Sequence, residues 1–110
     1  MDAAKVKEVI VSDQFDLDIA EVFEYGEKTF GHSSAKAFVS EIYTLIRSLD
    51  VNYLSFPENR FLVTRNKSYR NIIIGSYLVI YKVEEVSVKV LRIVRSEVSI
   101  RQVRSVKRVR

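Results

Sequence analysis

Basic side chains stand at both ends of an apolar stretch in the second half of the chain. The stretch SYRNIIIGSYLVIYKVEEVSVKVLRIVRSE, residues 68–97, carries Arg70 near its start and Arg92 and Arg95 near its end. Clustered cationic side chains attract phosphate groups and acidic protein surfaces, and they speed association with such partners. Basic residues at strand ends also solvate the edge of a sheet and discourage pairing between sheets. The pattern therefore favours an anionic partner without specifying one.

The charge of the chain is divided unevenly between its two halves. Residues 1–50 hold five basic and ten acidic side chains, net −5, whereas residues 51–110 hold thirteen basic and four acidic ones, net +9. Part of the excess lies in a basic C-terminal tail, residues 97–110, which includes Arg101 and Arg104. Such asymmetry bears on association rather than on the fold, and it points to an acidic partner for the second half.

Composition limits the class of protein. At 110 residues and 47% hydrophobic composition, the chain is predicted to form one domain, residues 1–110, with its own core. It contains no cysteine, so it has neither disulfides nor thiolate metal ligands. No phosphate-binding glycine motif or metal-ligand spacing is present, and we expect no cofactor and no metal. Because no apolar run approaches the length of a membrane span, we expect a cytoplasmic protein with no membrane contact.

Helical periodicity dominates the first half of the chain. A short strand is predicted within residues 5–12. Ser12 or Asp13 then caps a helix that ends at Gly31, and a second helix begins at the following serines. The apolar stripes of the two helices are Phe15, Ile19, Val22, Phe23 and Phe30, and then Ala35, Phe38, Ile42, Leu45, Ile46 and Leu49. Two stripes of this kind predict an antiparallel helix hairpin that covers another surface.

The second half supplies that surface. After an irregular loop broken by Pro57, the sequence predicts three strands at Tyr69–Ile74, Tyr77–Val83 and Val86–Val94. The turn between the last two lacks glycine, which indicates a loop longer than two residues. The predicted fold is α+β in the order β-α-α-β-β-β, an antiparallel sheet covered on one face by the helix hairpin. The first strand joins the same sheet.

The order of these elements resembles the RelE/ParE toxins of bacterial type II toxin–antitoxin systems. Two amphipathic helices are followed by SFPE (residues 55–58), by YRNIIIGSYLVIYKV (residues 69–83) and by VKVLRIVRSE (residues 88–97). The resemblance covers nearly the whole chain and rests on the spacing of its motifs together. It implies a small basic toxin held silent by an acidic antitoxin. It implies one of two mechanisms: cleavage of messenger RNA on the ribosome, as in RelE, or inhibition of DNA gyrase by binding, as in ParE.

Two positions depart from the nuclease pattern. Leu78 stands where RelE-type nucleases commonly carry an arginine, and Ser99 stands where they carry a tyrosine. Leucine cannot stabilise the charge that develops on a phosphate, and an unactivated serine is a poor general acid or base. We therefore favour a toxin that acts by binding, with gyrase as its target, over an enzyme. A plain nucleic-acid-binding module is a third possibility, which the absence of aromatic rings from the basic tail disfavours.

Candidate site residues follow from these alternatives. If the chain is a metal-independent endoribonuclease, the candidates for its catalytic groups are Glu58 as the proton acceptor and Lys67, Arg70, Arg92 and Arg95 as the cations. The residues predicted to contact the target or the antitoxin are Arg65, Lys67, Arg70, Arg92, Arg95, Arg101 and Arg104.

Overall fold

The structure is a computed structural model that describes residues 5–97 and 103–109. The elements in chain order are β1 (Glu8–Val11), α1 (Asp13–Phe30), α2 (His32–Asn52), β2 (Tyr69–Ile74), β3 (Tyr77–Val83), β4 (Ser87–Arg95) and a short 3₁₀ helix (Ser105–Arg108). The predicted α+β class and the β-α-α-β-β-β order are confirmed. The loop between β3 and β4 spans three residues, longer than a two-residue turn as its missing glycine indicated.

The sheet is mixed, so the prediction of an antiparallel sheet was wrong in one strand. The strand order is β1-β4-β3-β2, and the β2–β3 and β3–β4 pairs are antiparallel. However, β1 pairs with β4 in parallel, with Glu8 opposite Ser87 and Val11 opposite Val90. Short turns force antiparallel pairing only within the meander from β2 to β4. The helix hairpin separates β1 from the other strands and is long enough to return the chain for a parallel pair.

The start of α1 is fixed to the sheet by one serine. The Ser12 hydroxyl accepts a hydrogen bond from the backbone N–H of Phe15 at 2.9 Å, which satisfies an otherwise unpaired donor of the first turn. The same hydroxyl donates to the carbonyl of Leu91 in β4 at 2.7 Å. Asp13 and Asp16 stand in the first turn, where the helix dipole favours negative charge. The N-cap therefore sets both where α1 begins and where it lies along β4.

Gly31 joins the two helices. Its φ of 96° lies in a region that residues with a Cβ rarely adopt, so glycine is needed at this position. Its N–H donates to the carbonyl of Glu27 and closes α1, while its carbonyl accepts from Ala35 and opens α2. One residue therefore ends one helix and begins the next, and α2 starts at His32 rather than at the predicted serines.

The two helices cover one side of the sheet, here called the helix face. Phe15, Ile42 and Leu49 are completely buried in its core, together with strand residues such as Val79 and Val90. Phe30 is the exception to the predicted stripe, because its side chain is 70% exposed at the end of α1. Phe30 does not pack in the core as its place in the stripe predicted, and it is the last residue of α1.

The opposite side of the sheet, here called the tail face, is covered without any long helix. Leu62 from the loop and Val103 and Val106 from the tail are buried against Ile80 and Leu91. The β3–β4 register shifts between Ile80 and Tyr81, so Leu91 stands at a bulge that has no partner in β3. The valines of the basic tail thus close a second, smaller core.

No helix in residues 5–97 and 103–109 is long and apolar enough to cross a membrane.

Candidate partner-binding surface

Arg70 is the second residue of β2, where it is hydrogen-bonded to the preceding loop. Its guanidinium donates to the carbonyl of Phe56 at 2.7 Å and reaches that of Leu54 at 3.4 Å. Its Nε is buried and makes no hydrogen bond. The side chain is therefore only partly available to a partner, and its clearest contacts hold the loop after α2 against the sheet.

The other candidates before β2 lie on the loop. Arg65 and Lys67 are exposed and form no ion pair with any residue in the described part of the chain. Lys67 has a φ of 53°, and its N–H closes a turn by donating to the carbonyl of Thr64. The half-buried Glu58 accepts the N–H of Thr64 at a long 3.4 Å. This loop presents two free cations beside a carboxylate that is engaged with backbone.

Arg92 is held by an aspartate of α1 that no sequence pattern connects with it. The Asp18 carboxylate of α1 accepts from Nε of Arg92 at 3.0 Å and from its terminal nitrogen at 2.8 Å. It also accepts the backbone N–H of Ile93 at 3.1 Å. The hydrogen bond to Asp18 raises the pKa of Arg92 above its ordinary value. Because Asp18 is only 5% exposed, this fork fastens α1 to the edge of β4.

Arg95 lies at the end of β4 against two tyrosine rings. The centre of its guanidinium is 4.5 Å from the ring centroid of Tyr25 in α1 and 5.5 Å from that of Tyr77 in β3. Hydrogen bonding to Arg95 lowers the pKa of Tyr25, and the same contact raises the pKa of Arg95. Stacking of this kind orients a guanidinium while leaving its charge free for another ligand.

The predicted cations are not all brought together. In the sheet, Arg70 stands opposite Tyr81 and Arg95 opposite Tyr77, so they are separated by four residues of β3, or about 13 Å along the strand. Arg104 is exposed on the tail segment, and Arg101 lies outside the described residues. Arg92 and Arg95 line one cavity of about 330 Å³, but Asp18 and Glu21 line it with them, so the candidates as a set do not converge on one site.

Tyr81 lies in the core beside Arg70 and is completely buried. Its hydroxyl donates to the carbonyl of Tyr53 at 2.8 Å. Burial raises the pKa of Tyr81 to about 12, with Arg70 opposing part of that rise. A phenol in this state keeps its proton at neutral pH, so Tyr81 is a structural residue.

A pocket of about 320 Å³ opens next to Arg95 at the end of the helix hairpin. Its walls come from both helices and from the turn between β2 and β3, and they include Tyr25, Phe30, Phe38 and Tyr77. Among the described residues, Arg95 is the only charged side chain in the lining. Sequence reasoning missed this pocket, although the pair of glycines, Gly26 and Gly75, was a signal that backbone segments approach closely there.

Comparison with known proteins identifies the family of the chain. A family model described as the ParE toxin of the type II toxin–antitoxin system parDE matches residues 9–98. The chain belongs to the ParE toxin family. This confirms the family resemblance seen in the sequence, and the match runs from β1 through the end of β4.

The fold of this ParE-family chain is also that of a solved structure. A chain of the chromosomal ParDE TA system from P. aeruginosa superposes with a TM-score of 0.70 at 15% sequence identity, covering 84% of this chain and 98% of that chain. At such low identity, the likeness concerns the fold. The search of curated proteins found no match to this chain.

Proposed function

We propose that this ParE-family toxin arrests growth by binding DNA gyrase in the cytoplasm and that an acidic antitoxin neutralises it. Membership of the family supports the role of toxin, and the likeness to a chain of a ParDE system supports an antitoxin as its partner. The choice of binding over catalysis rests on the separation of the cationic residues.

Cleavage of RNA by transfer to the 2′-hydroxyl requires cations that converge on one phosphate, next to a group that takes the proton. Here Arg70 is engaged with loop carbonyls and Arg92 with Asp18. Leu78, at the position where a nuclease would carry arginine, is partly buried against the tail-face core. Ser99, the other departure from the nuclease pattern, lies outside the described residues. The separated cations are suited to holding an extended acidic surface, where each contact sets encounter rate and register.

Charge supports the proposed antitoxin. The net +9 of residues 51–110 repels itself in the free chain, and an acidic segment laid over it would relieve that repulsion. Binding to the folded state alone would also stabilise the toxin by mass action.

The target is tested by two assays on one preparation of the full chain made by cell-free synthesis. We expect inhibition of gyrase supercoiling on relaxed plasmid, together with intact messenger RNA in a reconstituted translation reaction. Codon-dependent cleavage that is lost in Arg95→Ala, with gyrase unaffected, would overturn the proposal in favour of a ribosome-dependent nuclease. Arg47→Ala, which changes an exposed arginine of α2, is the matched control.

The antitoxin is tested by co-expression with the neighbouring reading frame. We expect rescue of growth, higher solubility and a complex whose affinity falls as salt rises, because exposed charges are screened. Absence of both rescue and complex formation would contradict the proposed neutralisation.

A further inference from the structure

The pocket beside Arg95 is shaped for one large apolar side chain. Gly26 and Ala35 line it where the two helices approach closely, and a Cβ on Gly26 would lie 3.3 Å from the Cβ of Ala35. Phe38 closes another side, and a Cβ on Gly75 would lie 3.5 Å from its ring. At about 320 Å³, the pocket is at the small end of the range for ligand sites. A lining of small residues and aromatic rings is suited to an aliphatic or aromatic group.

The lining of this pocket includes a cation, Arg95, that forms no ion pair with any described residue. No carboxylate in residues 5–97 or 103–109 lies within ion-pair distance of Arg95. Glu97 is near enough to raise the pKa of Arg95, and Asp18 is already occupied by Arg92. The guanidinium lies against the rings of Tyr25 and Tyr77 and hydrogen-bonds Tyr25, so its remaining N–H groups can donate to an anion.

We propose that the Arg95 pocket binds a segment of the acidic antitoxin in which a carboxylate residue stands next to a large apolar residue. The apolar side chain fills the pocket between Phe38 and Ala35, and the carboxylate pairs with Arg95. The identity of the partner rests on the proposed function, whereas the ligand chemistry rests on the pocket itself.

The apolar character of the pocket favours a peptide over a nucleic acid. A phosphodiester would satisfy Arg95 but would leave the space lined by Phe38 and Ala35 without an occupant. Phe30, 70% exposed at the rim, adds apolar surface that a peptide side chain would cover. The pocket therefore places a cation next to apolar surface, which complements a peptide segment with an acidic residue next to an aromatic one.

The pocket is tested with short peptides of defined sequence. The probe is acetyl-Ser-Asp-Phe-Asp-Ser-amide, titrated into the ¹⁵N-labelled full chain while the amide resonances of Gly26, Gly75 and Ser76 are followed. We expect saturable shifts confined to these and neighbouring amides. Replacing both aspartates of the peptide by asparagine, or its phenylalanine by alanine, should weaken binding roughly tenfold, the loss that accompanies removal of a charge-assisted hydrogen bond or a buried ring.

Two protein variants address the two halves of the proposal separately. Arg95→Gln removes the cation, and Ser34→Trp places a ring into the pocket from an exposed position of α2 that lines it. Each should weaken peptide binding roughly tenfold or more, by the same reasoning. Arg47→Gln removes one charge from an exposed position outside the pocket and should leave affinity unchanged. Amide spectra of the unbound variants show whether each is folded.

Several outcomes would overturn the inference. These are an absence of shifts at millimolar peptide, unchanged affinity in folded Arg95→Gln or Ser34→Trp, or tighter binding of a short single-stranded RNA at the same amides. If the wild-type chain neither inhibits gyrase nor binds an antitoxin, yet binds the peptide as expected, only the proposed function fails. If the toxin is active and neutralised but the pocket binds no peptide, only this inference fails.

Discussion

The two faces of the sheet are covered by different kinds of structure. On the helix face, α1 and α2 bury a continuous core that includes Phe15, Ile42 and Leu49. On the tail face, a loop and a 3₁₀ segment of four residues bury a smaller one. Cations border this second cover, since Lys82 and Lys107 lie 5.4 and 5.8 Å from the ring centroid of Tyr69. The comparison indicates that the helix face provides most of the stability, while the tail face opens locally at lower cost.

The largest effect is expected from removing a ring on the helix face. Phe15→Ala leaves a cavity at a completely buried position and should lower the free energy of unfolding by about 3–5 kcal/mol, measured by urea denaturation. Leu17→Ala, two residues along α1 and 63% exposed, is the control and should change it by less than about 0.5 kcal/mol. Equal losses at the two positions would remove the basis for distinguishing core from surface on α1.

A smaller effect is expected on the tail face. Val106→Ala removes two methyl groups from a completely buried side chain and should cost about 1.5 kcal/mol. Because the cover is short, hydrogen exchange should quicken at Val109, whose N–H donates to the carbonyl of Val106, and stay unchanged in α2. Arg104→Ala, at an exposed position of the same segment, serves for comparison. Loss of protection throughout both helices would show instead that the two faces unfold as one unit.

The buried phenol of the helix face makes stability depend on alkaline pH. Its pKa is about 12 in the folded chain against an ordinary 10.0, so the folded state holds this proton more tightly. The resulting stabilisation is complete below pH 10 and is lost as pH rises from 10 towards 12. At pH 11 the free energy of unfolding should be about 1.4 kcal/mol lower on this account. Tyr81→Phe should lack this part of the pH dependence when urea denaturation is compared at pH 9 and pH 11. If the free energy of unfolding falls equally between pH 9 and pH 11 in the two proteins, the raised pKa of Tyr81 would be contradicted.

The smallest effects on stability are expected at two arginines that flank opposite ends of β3, Arg70 in β2 and Arg95 in β4. Arg70→Gln removes the hydrogen bond to the carbonyl of Phe56 and should cost about 1 kcal/mol. Arg95→Gln removes a side chain that rests on the exposed Tyr25 and the partly buried Tyr77, and should lower the denaturation midpoint less than Arg70→Gln does. A greater loss at Arg95 than at Arg70 would mean that the Arg95 pocket is needed for folding, and would weaken its interpretation as a site for a partner.

Much of the fold could be predicted from local patterns. Hydrophobic periods of 3.6 and 2 residues placed the helices and strands to within a few positions, because each pattern must bury one face. The parallel placement of β1 could not be read in this way, since a long connection allows either direction. For the candidate site, the sequence predicted several of the charged residues but not which side chains surround them. Arg95 was a candidate, whereas nothing in the sequence connected it with Tyr25 and Phe38, aromatic residues of two different helices that line the same pocket.

The sequence by itself determined the order of elements, the division of charge and the family of the chain, because all three depend on residue types and their spacing. Only the tertiary structure decided what each cation does. Asp18 and Arg92 are 74 residues apart in the chain and meet only because α1 lies along β4. Arg95, three residues beyond Arg92, projects onto tyrosines from α1 and β3 and keeps its charge available. Which arginine is paired and which is free depends on what lies next to it in three dimensions, and no local pattern records that.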